Sequence, residues 1–174
     1  MGEWSAFGLD ELIAVARDMK PSLIIDPSLA FEFEIPKKGD AYWRSLERSS
    51  GLPDRKSLNP AAIVSLLPNI TLIDIDEESD GEISMRGRLA GQEFERVFGK
   101  IGGVDLREKF SPQRYKRWEV FARALLICKQ PLRISTPIAH NDQTFLNGEF
   151  FIGPLQNKES SYTTLLGFAE FKPL

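Results

Sequence analysis

The residue types that most often carry nucleophilic or metal chemistry are scarce. Among 174 residues there is one histidine, His140, and one cysteine, Cys128. A single cysteine excludes an intrachain disulfide and a cysteine-based zinc cage. A cysteine or serine nucleophile needs a base within hydrogen-bond reach, and nothing in the spacing brings His140 to one. Cys128, at the end of a helical pattern, reads as a small apolar side chain. The carboxylates Asp74, Asp76, Glu77, Glu78 and Asp80 only loosely allow the alternating ligands and closing glutamate of a calcium loop, and they read as a solvated acidic turn. Gly99 to Gly103 holds three glycines, but no Lys-Ser or Lys-Thr follows, and it reads as a hinge rather than a phosphate cradle. Arg114, Lys116, Arg117 and Arg123 offer either a site for a phosphate or acidic partner or a solvated helix face. Tyr115 and Trp118 beside them keep the spacing of a packed stripe rather than of a stacking platform for nucleic acid. Arg88 has two readings: a fork donor for a ligand carboxylate, or half of a structural ion pair. No catalytic constellation and no metal ligand set emerges, and an enzyme is not expected.

The elements that must position these residues centre on Ile83 to Gly99. Ile83, Met85, Gly87 and Leu89 alternate with Ser84, Arg86 and Arg88, the period of a half-buried strand. Ile70 to Asp76 precedes it, and Asp80-Gly81 allows the two to close as a hairpin. Gln92 to Phe98 reads as a short helix ended by Gly99, with Phe94, Val97 and Phe98 on one face. Asp10 to Met19 is an amphipathic helix, open to two readings: packed on its own domain or a dimerisation element. Phe31, Phe33 and Ile35 alternate with Glu32 and Glu34, as in a strand or extended connector, and Lys37-Lys38-Gly39 punctuates the chain. A second helix is expected from Asp40 to Ser49 and a third after Asn59-Pro60, ending at Pro68. Ser111-Pro112 opens the longest helix, to about Lys129, with Tyr115, Trp118, Phe121, Ala122, Leu125 and Cys128 on its apolar stripe. Three strand-like stretches follow, Leu132 to Ala139, Gly148 to Leu155 and Tyr162 to Phe171. The turns between them are expected near Asn141-Asp142 or Asn147-Gly148 and at Asn157 to Ser161. An α+β domain of five antiparallel strands with helices covering one face accounts for the order, with residues 1–39 as an N-terminal helical extension and 40–174 as the main domain.

This order resembles the PAS fold, in which two strands lead through short helices and one long helix to a three-stranded meander. It is most similar to a family of single-domain bacterial PAS proteins, largely alphaproteobacterial, once catalogued as a domain of unknown function. The resemblance rests on Tyr42-Trp43, Leu52-Pro53, Asn59-Pro60-Ala61, Leu66-Leu67-Pro68, Arg88-Leu89-Ala90-Gly91 and Phe98-Gly99, and covers about residues 40 to 171. It implies a sensory or regulatory role, without fixing the ligand. PAS-type haem sensors carry their ligand on the helical side of the pocket, and the long helix here has no histidine. Flavin photosensors carry an Asn-Cys-Arg signature, where this chain has Leu-Ile-Cys-Lys. Neither haem nor flavin is therefore expected.

The sheet's inner face and its helices should enclose a cup lined by Phe94, Phe98, Phe121, Leu125, Ile134, Phe150 and Phe168, with Arg88 as its polar contact. Such a cup holds either a small ligand or its own side chains. A stand-alone regulatory module is the reading, signalling through changed protein contacts to a protein partner or within a homodimer; the alternative is an interaction scaffold with a filled core. The formal net charge of -3, with mixed signs, argues against nucleic acid as a partner. No export signal or membrane span is evident, and a reducing cytoplasm is the expected compartment.

Overall fold

Alternating apolar residues and a tight acidic turn close the central hairpin. In the computed structural model, which describes residues 2–48, 50–140 and 144–174, β2 (Ile70–Glu77) pairs antiparallel with β3 (Ile83–Ala90), from Thr71↔Ala90 to Glu77↔Ile83. Gly81 takes φ +84° in the turn. The register slips between Leu72 and Ile73, leaving Arg88 opposite no residue of β2. This bulge re-aims the end of the strand. Leu89, expected inward with Met85 and Gly87, is 45% exposed as a result.

The meander follows as β4 (Leu132–His140), β5 (Thr144–Gln156) and β6 (Thr163–Pro173), and β6 returns to pair with β2. The β5 strand begins before the expected Gly148, so Asn147-Gly148 lies inside it. Gly148 answers to crowding: a Cβ there would sit 2.6 Å from Ile138 Cδ1. The Asn141-Asp142 turn and the His140 side chain fall outside the described residues. The expected five strands are joined by a sixth, β1 (Ile24–Asp26), paired to the outer edge of β4 through Ile25↔Ile134. The sheet order is β1-β4-β5-β6-β2-β3. A three-residue strand is too short for alternation to reveal it.

Helices α1 (Leu9–Asp18), α3 (Gln92–Phe98) and α5 (Pro112–Cys128) share one buried cluster with the inward side chains of the sheet. Between α3 and α5 lies a single turn, α4 (Leu106–Lys109). The Ser111 hydroxyl caps α5 by accepting the Arg114 N–H at 3.2 Å, as its cap-then-proline sequence requires. Packing of α1 along α5 buries more of α5 than its apolar stripe. Glu119 and Arg123 are buried as an ion pair of 2.9 Å, and Arg123 also donates to the Gly81 carbonyl at 2.6 Å. Arg123 therefore does not lie on a solvated face. Leu12 and Ala16 of α1, and Leu23 and Ile25 after it, belong to the same core.

The opposite face of the sheet carries a second layer. Trp43 and Leu46, from α2 (Glu34–Ser45) and its end, meet Ile63 and Leu66 of the 3-10 segment Pro60–Asn69 over Phe151, Leu155, Leu166 and Phe168. The α2 helix starts before the expected Asp40, which instead pairs with Arg44 at 3.0 Å. No side chain of its own N-cap residue, Phe33, serves it. Carboxylates from the sheet take that place: Glu149 accepts the N–H groups of Glu32 and Phe33, and Glu170 accepts that of Ile35. Pro36 is tolerated because first-turn N–H groups have no partner within the helix. Gly39 lies within α2, where a Cβ would meet the Phe168 ring at 2.6 Å, so its small size, not a chain break, explains it.

Candidate functional site

The cup interior is largely filled by aromatic rings. Trp118 of α5 stacks edge-on against Phe94 and Phe98 of α3, with ring centroids 5.7 and 5.3 Å apart, and against Phe150 of β5 at 6.4 Å. Phe121 packs on Trp118 as well, at 5.1 Å. Phe94 and Leu125 are fully buried in this cluster.

A cavity of about 230 Å³ remains at the mouth of the cup, between the first turns of α5, strand β4 and the connector from α1 to β1. Its floor includes Phe98, Trp118, Phe121, Ile134 and Phe150; Ser111, Gln113, Arg114, Arg117, Thr136 and Lys20 bring polar groups to its wall. Four of the eight expected lining residues thus come together here: Phe98, Phe121, Ile134 and Phe150. Phe94 and Leu125 lie in the core cluster and do not line it. Two expected lining residues lie elsewhere. Phe168 packs in the cluster on the far face, because alternation along β6 sends Leu165 and Ala169 to the cup and Leu166 and Phe168 away from it. Arg88 pairs with the buried Asp74 at 2.6 Å. Asp74 also accepts the Thr164 hydroxyl at 2.7 Å, so the structural ion-pair reading of Arg88 holds.

The polar side of the cavity is built by α5. Arg114 and Arg117 stand three residues apart on its first turns, on the side that carries Trp118 and Phe121. The Arg114 guanidinium lies over the rings of Phe98 and Phe110, 5.4 and 5.8 Å from their centroids. Arg117 donates from Nη1 to the Pro21 carbonyl at 2.6 Å and from Nη2 to the Thr136 hydroxyl at 2.7 Å. That hydroxyl donates onward to the Ser22 carbonyl at 2.9 Å. Burial draws both arginines below the ordinary arginine pKa, and repulsion from Arg114 adds to the effect on Arg117. From sequence both residues carry the alternative of a site for a phosphate or acidic partner, but not a place at the cup; their three-residue spacing next to Trp118 and Phe121 was the available signal. Nothing in the sequence marks Lys20, Pro21 and Thr136 as their neighbours.

Among the described residues, no group of three or more histidine, cysteine, aspartate or glutamate side chains is placed to hold a metal ion. No helix among them is long and apolar enough to cross a membrane. A family model described as the PAS domain matches residues 37–170.

This chain belongs to the PAS-domain family.

The match begins within α2 and ends in β6, so the five-strand sheet β4-β5-β6-β2-β3 and its helices are the PAS domain itself, a sensory and regulatory type of module. The α1 helix and β1 lie before the matched region. Among solved structures, an RNA-binding Light-Oxygen-Voltage receptor is similar at 18% identity and a TM-score of 0.41, the match covering 73% of this chain and 36% of that one. No curated protein matches.

Proposed function

We propose that this PAS domain is a sensor that takes a small ligand at the mouth of its cup and signals by changing the contacts of its N-terminal helix. The observation that carries this reading is the shared wall of the cavity. Lys20, Pro21 and Leu23 of the connector line it together with α5 and β4, and the same connector is held by Arg117 and Thr136. An occupant that contacts Arg117 and the connector therefore acts on the segment joining α1 to the sheet. The two ends are coupled only as far as the ligand binds one arrangement more tightly than the other. At about 230 Å³, the cavity is smaller than the ~300–1,000 Å³ typical of drug-sized ligand sites, so the occupant is compact. A changed α1 surface would then be read by a protein partner or by a second copy of the chain.

A second reading, a protein-interaction scaffold, draws on the filled interior, where Phe94, Phe98, Trp118 and Phe150 leave the deep cup packed. Melting temperatures measured across a library of charged and neutral metabolites separate the two. A sensor shows a concentration-dependent rise with at least one compound, together with altered hydrogen exchange in residues 9–23. A library without any hit, with exchange in α1 unmoved, favours the scaffold.

A further inference from the structure

We propose that the cavity selects a small organic oxyanion, its head held between Arg114 and Arg117 and its apolar body laid on Phe98, Phe121, Ile134 and Phe150. This rests on the reading of the cup mouth as a ligand site and names the class of ligand.

Two guanidinium groups face one small cavity, and like charges three residues apart on a helix oppose each other. Among the described residues no carboxylate lies within ion-pair distance of either. Arg117 is met by neutral acceptors, the Pro21 carbonyl and the Thr136 hydroxyl. Arg114 makes no side-chain hydrogen bond to a described residue; it rests on the faces of Phe98 and Phe110. Elsewhere in the molecule the arginines at buried positions have carboxylates: Arg123 has Glu119, and Arg133 has Glu149 and Asp26. The half-buried cavity pair departs from that pattern, and its partial burial lowers the pKa of both groups. Lys20 adds a third cationic side chain to the same wall.

Guanidinium forks match the planar oxygens of a carboxylate and the oxygens of a phosphate. Arg114 is placed over two rings, while Nη1 and Nη2 of Arg117 are fixed by their acceptors. Both heads are thereby oriented before a ligand arrives, which lowers the ordering cost of binding. The aromatic floor beneath takes an apolar body and disfavours a bare inorganic ion.

The test uses the full chain and three compact probes: benzoate, phenyl phosphate and the neutral isostere benzamide, titrated by calorimetry at two salt concentrations. At least one anion should bind with an affinity that falls as salt rises, and benzamide should bind about tenfold more weakly or not at all, the loss of a charge-assisted hydrogen bond being worth that factor or more. Arg114→Gln should weaken the anion about tenfold, and Arg114→Lys, which keeps the charge but loses the fork, should recover only part of that loss. Benzamide binding as tightly as the anions overturns the oxyanion class while leaving a ligand site in place. Silence of both anions overturns it too, and the wider metabolite library then decides whether the site takes any ligand. Unchanged anion affinity in Arg114→Gln removes Arg114 from the site. Should that variant lose its fold, salt dependence and benzamide discrimination in the unmodified chain still decide.

Discussion

The Arg117 guanidinium donates to the Pro21 carbonyl across 2.6 Å, tying the first turns of α5 to the connector behind α1. A second donor of the same group holds Thr136 on β4, so one side chain joins helix, strand and connector. Arg117→Ala removes two charge-assisted bonds at a half-buried position. The expected loss is about 1–2 kcal/mol, below the ~1.5–3 kcal/mol for each such bond because solvent reaches the site. Hydrogen exchange should quicken at residues 19–23 and in α1 while β5 and β6 stay protected. An unchanged connector would show that the bond does not hold it.

Glu149 gives a sharper expectation. It is 1% exposed, pairs with Arg133 at 2.8 Å and accepts the N–H groups of Glu32 and Phe33 ahead of α2. Glu149→Ala strips one partner from a buried pair and leaves two backbone donors unmet, which costs about 3–5 kcal/mol. Glu149→Gln keeps a carbonyl acceptor and should lose less. Urea unfolding measures both, and equal losses would show that the carboxylate's hydrogen bonds to the start of α2 contribute little.

These two sites also show where the sequence was legible. The hairpin, α3 and α5 announce themselves through local periods and caps, so these elements and the aromatic wall of the cup follow from reading along the chain. The start of α2 does not. Its capping carboxylates, Glu149 and Glu170, lie more than a hundred residues away, and the local sequence offers Asp40 instead. Phe168 and Arg88 fail for a related reason. Which side of a strand meets the cup depends on register and on a bulge, and a shift of one position reverses the face. The place of Arg114 and Arg117 at the cup is hidden in the sequence because the segment that shares their cavity, Lys20 to Leu23, comes from far upstream.

Cys128 should react slowly. Burial pushes its thiol above the ordinary value, outweighing its backbone hydrogen bonds. A raised pKa leaves less thiolate at a given pH, and the thiolate is the nucleophile. Iodoacetamide at pH 8 should alkylate native protein more slowly than free cysteine, with the rate rising as pH climbs and jumping in denaturant. A native rate matching that of free cysteine would contradict the burial argument.

The last prediction contrasts two glycines near the ends of the central hairpin. Gly91 has φ -76°, open to any residue, so backbone freedom does not explain it. Its neighbours do: a Cβ there would fall on the carbonyls of Leu67 and Pro68, where the 3-10 segment passes beneath the start of α3. The Gly91 N–H also donates to the Ile70 carbonyl at 2.8 Å, which fixes the approach. The Leu66-Leu67-Pro68 and Arg88-Leu89-Ala90-Gly91 stretches are thus neighbours in space. Gly91→Ala must push backbone against backbone, and a loss of about 1–3 kcal/mol is expected, as for overpacking. At Gly102 the first atom a Cβ would meet is the Arg88 carbonyl oxygen at 3.7 Å, an ordinary contact, and Gly102→Ala should change stability by no more than about 0.5 kcal/mol. Thermal melts of the two variants side by side check the pair. Equal melting temperatures would mean that the 67–68 backbone gives way without cost, and the close packing of these two stretches would not be a constraint on the fold.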